Sequence, residues 1–103
     1  MEFIYEENKI YVLDENNKEI VRGTFPFLKK NVVNVDHTFV DPVLRGQGIA
    51  SILMHKIVDY ARSKGYKMTV TCPYAVNWFQ KHKEFNYMLD EKEQEKLAPE
   101  CLI

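Results

Sequence analysis

Apolar and polar residues follow a strand-like pattern through the first forty or so positions, and then the period changes. Phe3-Ile4-Tyr5 and Ile10-Tyr11-Val12-Leu13 are short β-type runs, and Glu7-Asn8 between them suits a tight hairpin. Asp14-Glu15-Asn16-Asn17 is a second turn cluster. A third strand is predicted from Glu19 to Phe25, stopped by Pro26, which has no N–H to give to a ladder. Lys29-Lys30 reads as a solvated loop, Asn31 as a turn residue, and Val32 to Val40 as a fourth, β-branched strand.

Ile49, Ile52, Leu53, Ile57, Tyr60 and Ala61 then recur at helical spacing, with Ser51, Lys56, Asp59 and Arg62 on other faces. Gly65, after Arg62 and Lys64, is a common helix stop. Tyr66 to Thr71 is a fifth strand ended by Pro73. Ala75 to His82 forms a short helix with Val76 and Phe79 inward, and Asp90 to Lys96 reads as a charged, solvated helix ended by Pro99. Strand, turn, helix, strand is a βαβ unit, so the fourth and fifth strands are expected to be parallel neighbours. The predicted class is α/β (α+β): a mixed, mostly antiparallel sheet with one βαβ unit, in a single domain over residues 1–103. In such sheets ligands sit at the carboxyl ends of the parallel strands, which places Val40 and Cys72 there.

The turn that opens the long helix, Arg45-Gly46-Gln47-Gly48-Ile49-Ala50, carries the chemistry. The first N–H groups of a helix have no partner within it and bear partial positive charge. Glycine permits positive φ and close backbone approach. The segment therefore reads either as a tight turn or as a cradle for a phosphate-bearing ligand. A P-loop requires a Lys after the last glycine, and none follows Gly48. A dinucleotide fingerprint requires a third glycine where Ser51 stands, and a longer domain.

The net charge of −1 argues against a nucleic-acid or membrane-surface binder. No apolar run approaches the length of a membrane span. Cys72 and Cys101 form no C-x-x-C, and Met1-Glu2-Phe3 does not begin a secretory signal, so a reduced, cytoplasmic protein is expected. Cys101-Leu102-Ile103 is one residue short of a prenylation signal.

The loop matches the pyrophosphate pattern [Q/R]-x-x-G-x-[G/A] of the Gcn5-related N-acetyltransferases at every fixed position. The chain resembles the short, single-domain branch of that superfamily. The resemblance spans about residues 32–87, on Asp36-His37-Thr38, Arg45 to Ala50, Cys72-Pro73-Tyr74-Ala75 and His82-Lys83-Glu84-Phe85. Lys83 departs from it, standing where the family usually has Pro. The resemblance implies an acetyl-CoA site. The pyrophosphate would rest on the N–H groups of Gly46, Gln47, Gly48, Ile49 and Ala50, with Arg45 and Ser51 flanking. The pantetheine would run along Phe39 and Val40, in the gap where the fourth and fifth strands part. The thioester would lie near His37 and Cys72.

Acetyl transfer to an amine needs a group to take the acceptor's proton, and an imidazole such as His37 suits neutral pH. A Cys72 thiolate offers the other route, attacking the thioester and carrying the acetyl group. Tyr74 is the candidate proton donor to the departing CoA thiolate. Trp78 and Phe79 read as core or rim, and His55 as solvated. His82 matches the motif without a derivable role. Glu6 to Lys18 holds only turns, so the helical segment that holds the acceptor in larger relatives is missing. An amine acceptor is implied and not identified, an acyl-CoA-binding module without catalysis is the alternative, and exposed strand edges are compatible with a homo-oligomer.

Overall fold

The computed structural model describes residues 1–97; Pro99 and Cys101 lie outside them. In chain order the strands are β1 (Ile4–Glu6), β2 (Lys9–Leu13), β3 (Glu19–Thr24), β4 (Phe27–Lys29), β5 (Val32–Val35) and β6 (His37–Val40). Helix α1 (Ile49–Lys64), strand β7 (Lys67–Val70), and helices α2 (Pro73–Lys81) and α3 (Glu91–Leu97) follow. Short 3-10 turns at Pro42–Leu44 and Lys83–Met88 connect them. The hairpin and turn residues expected at Asn8, Asn17 and Asn31 all adopt positive φ (62°, 63° and 65°), a region asparagine tolerates better than other side chains.

The strands form a four-stranded antiparallel sheet, β1-β2-β3-β6, and a three-stranded sheet, β4-β5-β7, in which β5 and β7 run parallel. Residues 32–40, expected as one strand, divide at Asp36. The first half pairs with β7 from Val32↔Lys67 to Val35↔Val70, and the second pairs with β3 from Thr24↔His37 to Val21↔Val40. The parallel pairing is therefore as expected, and it ends where the sheets part. Beyond Val35 the two halves of the molecule diverge, leaving one edge of β6 open.

Helix α1 lies on the shared inner face. Its stop is a left-handed Gly65 (φ 76°) whose N–H bonds Arg62 O, while Tyr66 N reaches Ala61 O. Ile49, Leu53, Ile57 and Ala61 are buried as expected, joined by Met54 and Val58. Ile52 is instead exposed: it sits about 140° round the helix from Ile57, beyond the arc the sheet covers. Val21, Gly23, Ile10 and Val12 face α1 from the antiparallel sheet, and Val33, Val35, Met68 and Val70 complete the core. The opposite face of that sheet carries Lys9, Tyr11, Arg22, Thr24, His37 and Phe39, because alternate strand residues point to opposite faces.

Two expected solvated segments are structural. Lys29 lies in β4 and pairs with Glu93 of α3 at 3.1 Å. Helix α3 is charged yet docked, with Gln94 buried against β7.

Candidate functional site

The loop between β6 and α1 is built from backbone geometry. Asp41 accepts a bond from Val43 N (3.0 Å) and starts the 3-10 turn that carries the chain out of the sheet. Arg45 Nε donates to Val40 O at 3.0 Å and ties the loop back to the end of β6. Gly46 (φ 83°) and Gly48 (φ 75°) are both left-handed, and Gly48 is the N-cap of α1. Open space surrounds the position of a Cβ at each. What demands glycine there is the backbone conformation and the bare approach to the helix end. No side chain caps that end, so the N–H groups of its first turn point out of the helix beside the open edge of β6. Ile49 anchors the turn in the core.

The ladder decides which β6 groups face the split. Asp41 N donates to Ile20 O, so alternation makes Phe39–Arg22 a bonded pair and directs the N–H and C=O of Thr38 and Val40 to the open edge. Val40 ends β6, its C=O accepting from Arg45 Nε. Phe39 is turned away: its backbone serves β3, and its ring lies under the Arg22 guanidinium on the outer face (4.9 Å to the centroid). Thr38, next to it, presents its backbone groups to the open edge instead, a choice set by the register with β3.

Cys72 is the N-cap of α2 and is nearly buried, with 7% exposure. Thr71 N and Cys72 N both bond Val35 O, which fixes the sulfur at the point where the sheets divide. The positive end of α2 falls on it. Its side-chain neighbour is Thr38, with Oγ1 3.2 Å from Sγ.

His37 lies on the other face. Its Nε2 is 3.2 Å from Arg22 Nη2, and a guanidinium only donates, so Nε2 accepts and the ring proton sits on Nδ1. Arg22 is held in turn by Glu19 at 3.1 Å. Lys9 and Arg22 hold the Glu19 carboxyl below its ordinary range, Lys9 contributing most. Cys72 and His37 thus flank the split from opposite sides of the sheet. Tyr74 is part-exposed on the first turn of α2, and burial raises its phenol above the ordinary 10.0. The phenol keeps its proton at neutral pH.

One cluster went unread in the sequence. Trp78 Nε1 donates to Ser51 Oγ at 3.0 Å, joining α2 to the first turn of α1. His82 stacks on Trp78 (4.1 Å, 13°) and its Nδ1 donates to Trp78 O at 2.8 Å. Phe85 stacks beside Trp78, and His55 meets the indole edge-on at 5.1 Å. His55, expected to be merely solvated, packs here while staying exposed. His82 gains a role: it braces the indole that links the two helices. Phe79 is buried and Trp78 nearly so, as expected.

A divided sheet with a glycine-turned helix N-terminus at its open edge is an arrangement that suits a phosphorylated, strand-like ligand. A family model described as GCN5-related N-acetyl-transferase matches residues 9–88, and the chain belongs to that family. A GCN5-like candidate N-acetyltransferase of Staphylococcus aureus, solved in solution, superposes with a TM-score of 0.71 at 32% identity, covering 85% of this chain and 86% of that one. Rv2747 of Mycobacterium tuberculosis, crystallised in complex with CoA, superposes at 0.60 with 14% identity over 90% of this chain and 66% of its own, a likeness of fold. The N-acetyltransferase MJ1207 of Methanocaldococcus jannaschii, itself uncharacterised, is 38% identical over 40 residues, 39% of this chain. That match spans only 18% of the relative's length. Among the described residues no helix is long and apolar enough to cross a membrane, and no cluster of three or more His, Cys, Asp or Glu residues is grouped to hold a metal.

Proposed function

We propose that the protein is an acetyl-CoA-dependent N-acetyltransferase acting on an amine. The observation that carries this is the pairing of two features: the uncapped N-terminus of α1, turned by Gly46 and Gly48, and the open edge of β6 beside it. A pyrophosphate suits the first, since backbone N–H groups and the helix dipole both favour an anion. A pantetheine amide suits the second, as it can pair like an added strand with the outward N–H and C=O of Thr38 and the N–H of Val40, the Val40 C=O being taken by Arg45 Nε. Acetyl-CoA supplies an activated acyl group.

The chain's own residues do the rest. Cys72 stands at the split as nucleophile or as neighbour of the thioester. Tyr74, a phenol protonated at neutral pH, holds a proton that a departing thiolate can take. His37 is the candidate for the acceptor's proton, on the outer face from which an amine can approach. Taking that proton on Nε2 requires the Arg22 contact to open. A reducing, cytoplasmic setting keeps Cys72 as a thiol.

The Arg22 contact also favours a second reading, an acyl-CoA-binding module without turnover. Titration with CoA and acetyl-CoA, followed by NMR and thermal shift, tests both. Binding with turnover on an amine and peptide panel supports the first. Binding without turnover supports the second, and absence of binding defeats both. An acetyl group added to Cys72 in intact-mass spectra identifies the covalent route.

A further inference from the structure

Thr38 lies outside every role assigned so far to a side chain, yet its hydroxyl is the side-chain polar group that meets Cys72 among the described residues. Thr38 lies in β6 and Cys72 at the N-cap of α2 just beyond β7, 34 positions apart, so the contact spans the split itself. Both ends are constrained. Cys72 N is bonded to Val35 O, and Cys72 O accepts Val76 N at 3.0 Å in the first turn of α2. That leaves the sulfur one torsion of freedom. Thr38 is β-branched and stiff at its only heavy-atom torsion. It pairs across the ladder with Gly23, whose missing side chain is filled by Leu53 and Ile57, both apolar. Its hydroxyl therefore has Sγ, and no neighbouring polar side chain on β3, to bond.

We propose that Thr38 is a positioning residue for Cys72, holding the sulfur at the open edge of β6 and supplying a hydrogen to it as it becomes a thiolate. The inference rests on the acetyltransferase reading above. A hydroxyl both donates and accepts, so it stays bonded to sulfur in either protonation state. When an acetyl group moves to Cys72, the bond between the carbonyl carbon and the CoA sulfur breaks and a bond to Sγ forms. The proton released from Sγ ends on the CoA thiol. Thr38 keeps its own proton throughout, and once Sγ is acylated its hydroxyl is free to turn toward the new carbonyl oxygen.

The test uses the full chain carrying Cys101→Ser, so that Cys72 is the sole thiol. Alkylation by iodoacetamide is followed by intact mass from about pH 6 to 9, a range that brackets ordinary thiol ionisation. Thr38→Val keeps the shape and removes the hydroxyl; Thr38→Ser keeps the hydroxyl. Loss of one hydrogen bond of about 1 kcal/mol corresponds to a roughly fivefold slower reaction at pH 7 in Thr38→Val. The rate profile of that variant is expected to move to higher pH, and Thr38→Ser is expected to restore both rate and profile. A parent that is not alkylated, or a Thr38→Val protein with the parental rate and profile, overturns the proposal. Thermal shift with acetyl-CoA on the same proteins separates the two levels. A parent that binds no acetyl-CoA defeats the acetyltransferase reading whatever the alkylation shows. Equal binding with equal alkylation defeats the role of Thr38 alone.

Discussion

Gln94 of α3 completes the edge of β7 as a neighbouring strand would: its Nε2 donates to Val70 O at 2.8 Å and its Oε1 accepts from Val70 N at 2.7 Å. The remainder of that edge is covered by Asp90 N bonding Met68 O. A helix of mostly charged residues is thereby held to the sheet that ends at Cys72. Gln94→Ala leaves two buried backbone groups unpaired. Each such group costs about 1–3 kcal/mol, so a loss of about 2–6 kcal/mol is expected in urea unfolding. The isosteric Gln94→Glu variant keeps the acceptor and loses the donor, and is expected to fall between.

Gly48→Ala tests the loop. Nothing would crowd the new Cβ, so the effect is confined to backbone strain at φ 75°. A left-handed alanine costs about 1–2 kcal/mol. The variant is expected to unfold at correspondingly lower urea. If the helix N-terminus holds the pyrophosphate, relaxing the turn also moves its N–H groups, and affinity for CoA is expected to drop about tenfold or more by calorimetry, the equivalent of 1.4 kcal/mol.

Gly23→Ala is a different experiment, since here the obstacle is space. The added Cβ would meet Ile57 Cδ1 at 2.8 Å and Leu53 at 3.2 and 3.3 Å. Those atoms are the ends of flexible side chains, so the cost is expected at the low end of overpacking, about 1 kcal/mol. Ile57→Val removes the offending methyl and alone costs about 1 kcal/mol. The double variant is expected to be more stable than the sum of the two predicts, read as a coupling in denaturation midpoints.

Tyr74 makes a prediction in pH. Burial raises its folded value above the ordinary 10.0, so its contribution to stability is present below that range. It is lost as pH rises through the folded value. Between about pH 9 and 12 the wild type is expected to lose more stability than Tyr74→Phe, measured as thermal midpoints. Identical pH dependence in the two proteins would show that Tyr74 ionises as a solvated phenol.

The turns and the βαβ unit were legible because single residues enforce them: asparagines at positive φ, Pro26 and Pro73 at strand ends, and Gly65 at the stop of α1. The phosphate loop was legible for the same reason, since glycine at two left-handed positions leaves a local trace. The break at Asp36 was not, because both halves of Val32–Val40 have equal β propensity, and only their different partners part them. Helix α3 is where a helix was expected, but its docking leaves no trace in the sequence, because its seven residues include one buried group and that group is polar. The exchange of Phe39 for Thr38 at the open edge has no local signal, because which backbone groups face an edge depends on ladder register, and register depends on the partner strand. The Ser51–Trp78–His82 brace joins residues on separate elements, and no spacing along the chain encodes it.

The division of residues 32–40 between two sheets also bears on how the chain reaches its native state. Val35 must find Val70, thirty-five positions on, while His37 finds Thr24, and the two pairings share one short segment. Neither half of that segment is fully held until the other is placed. The split, and with it the meeting of Thr38 and Cys72, is therefore expected to form late in assembly, since loop closure is paid before such long-range contacts return it. Mutations there are expected to act on the rate of unfolding more than on the rate of folding.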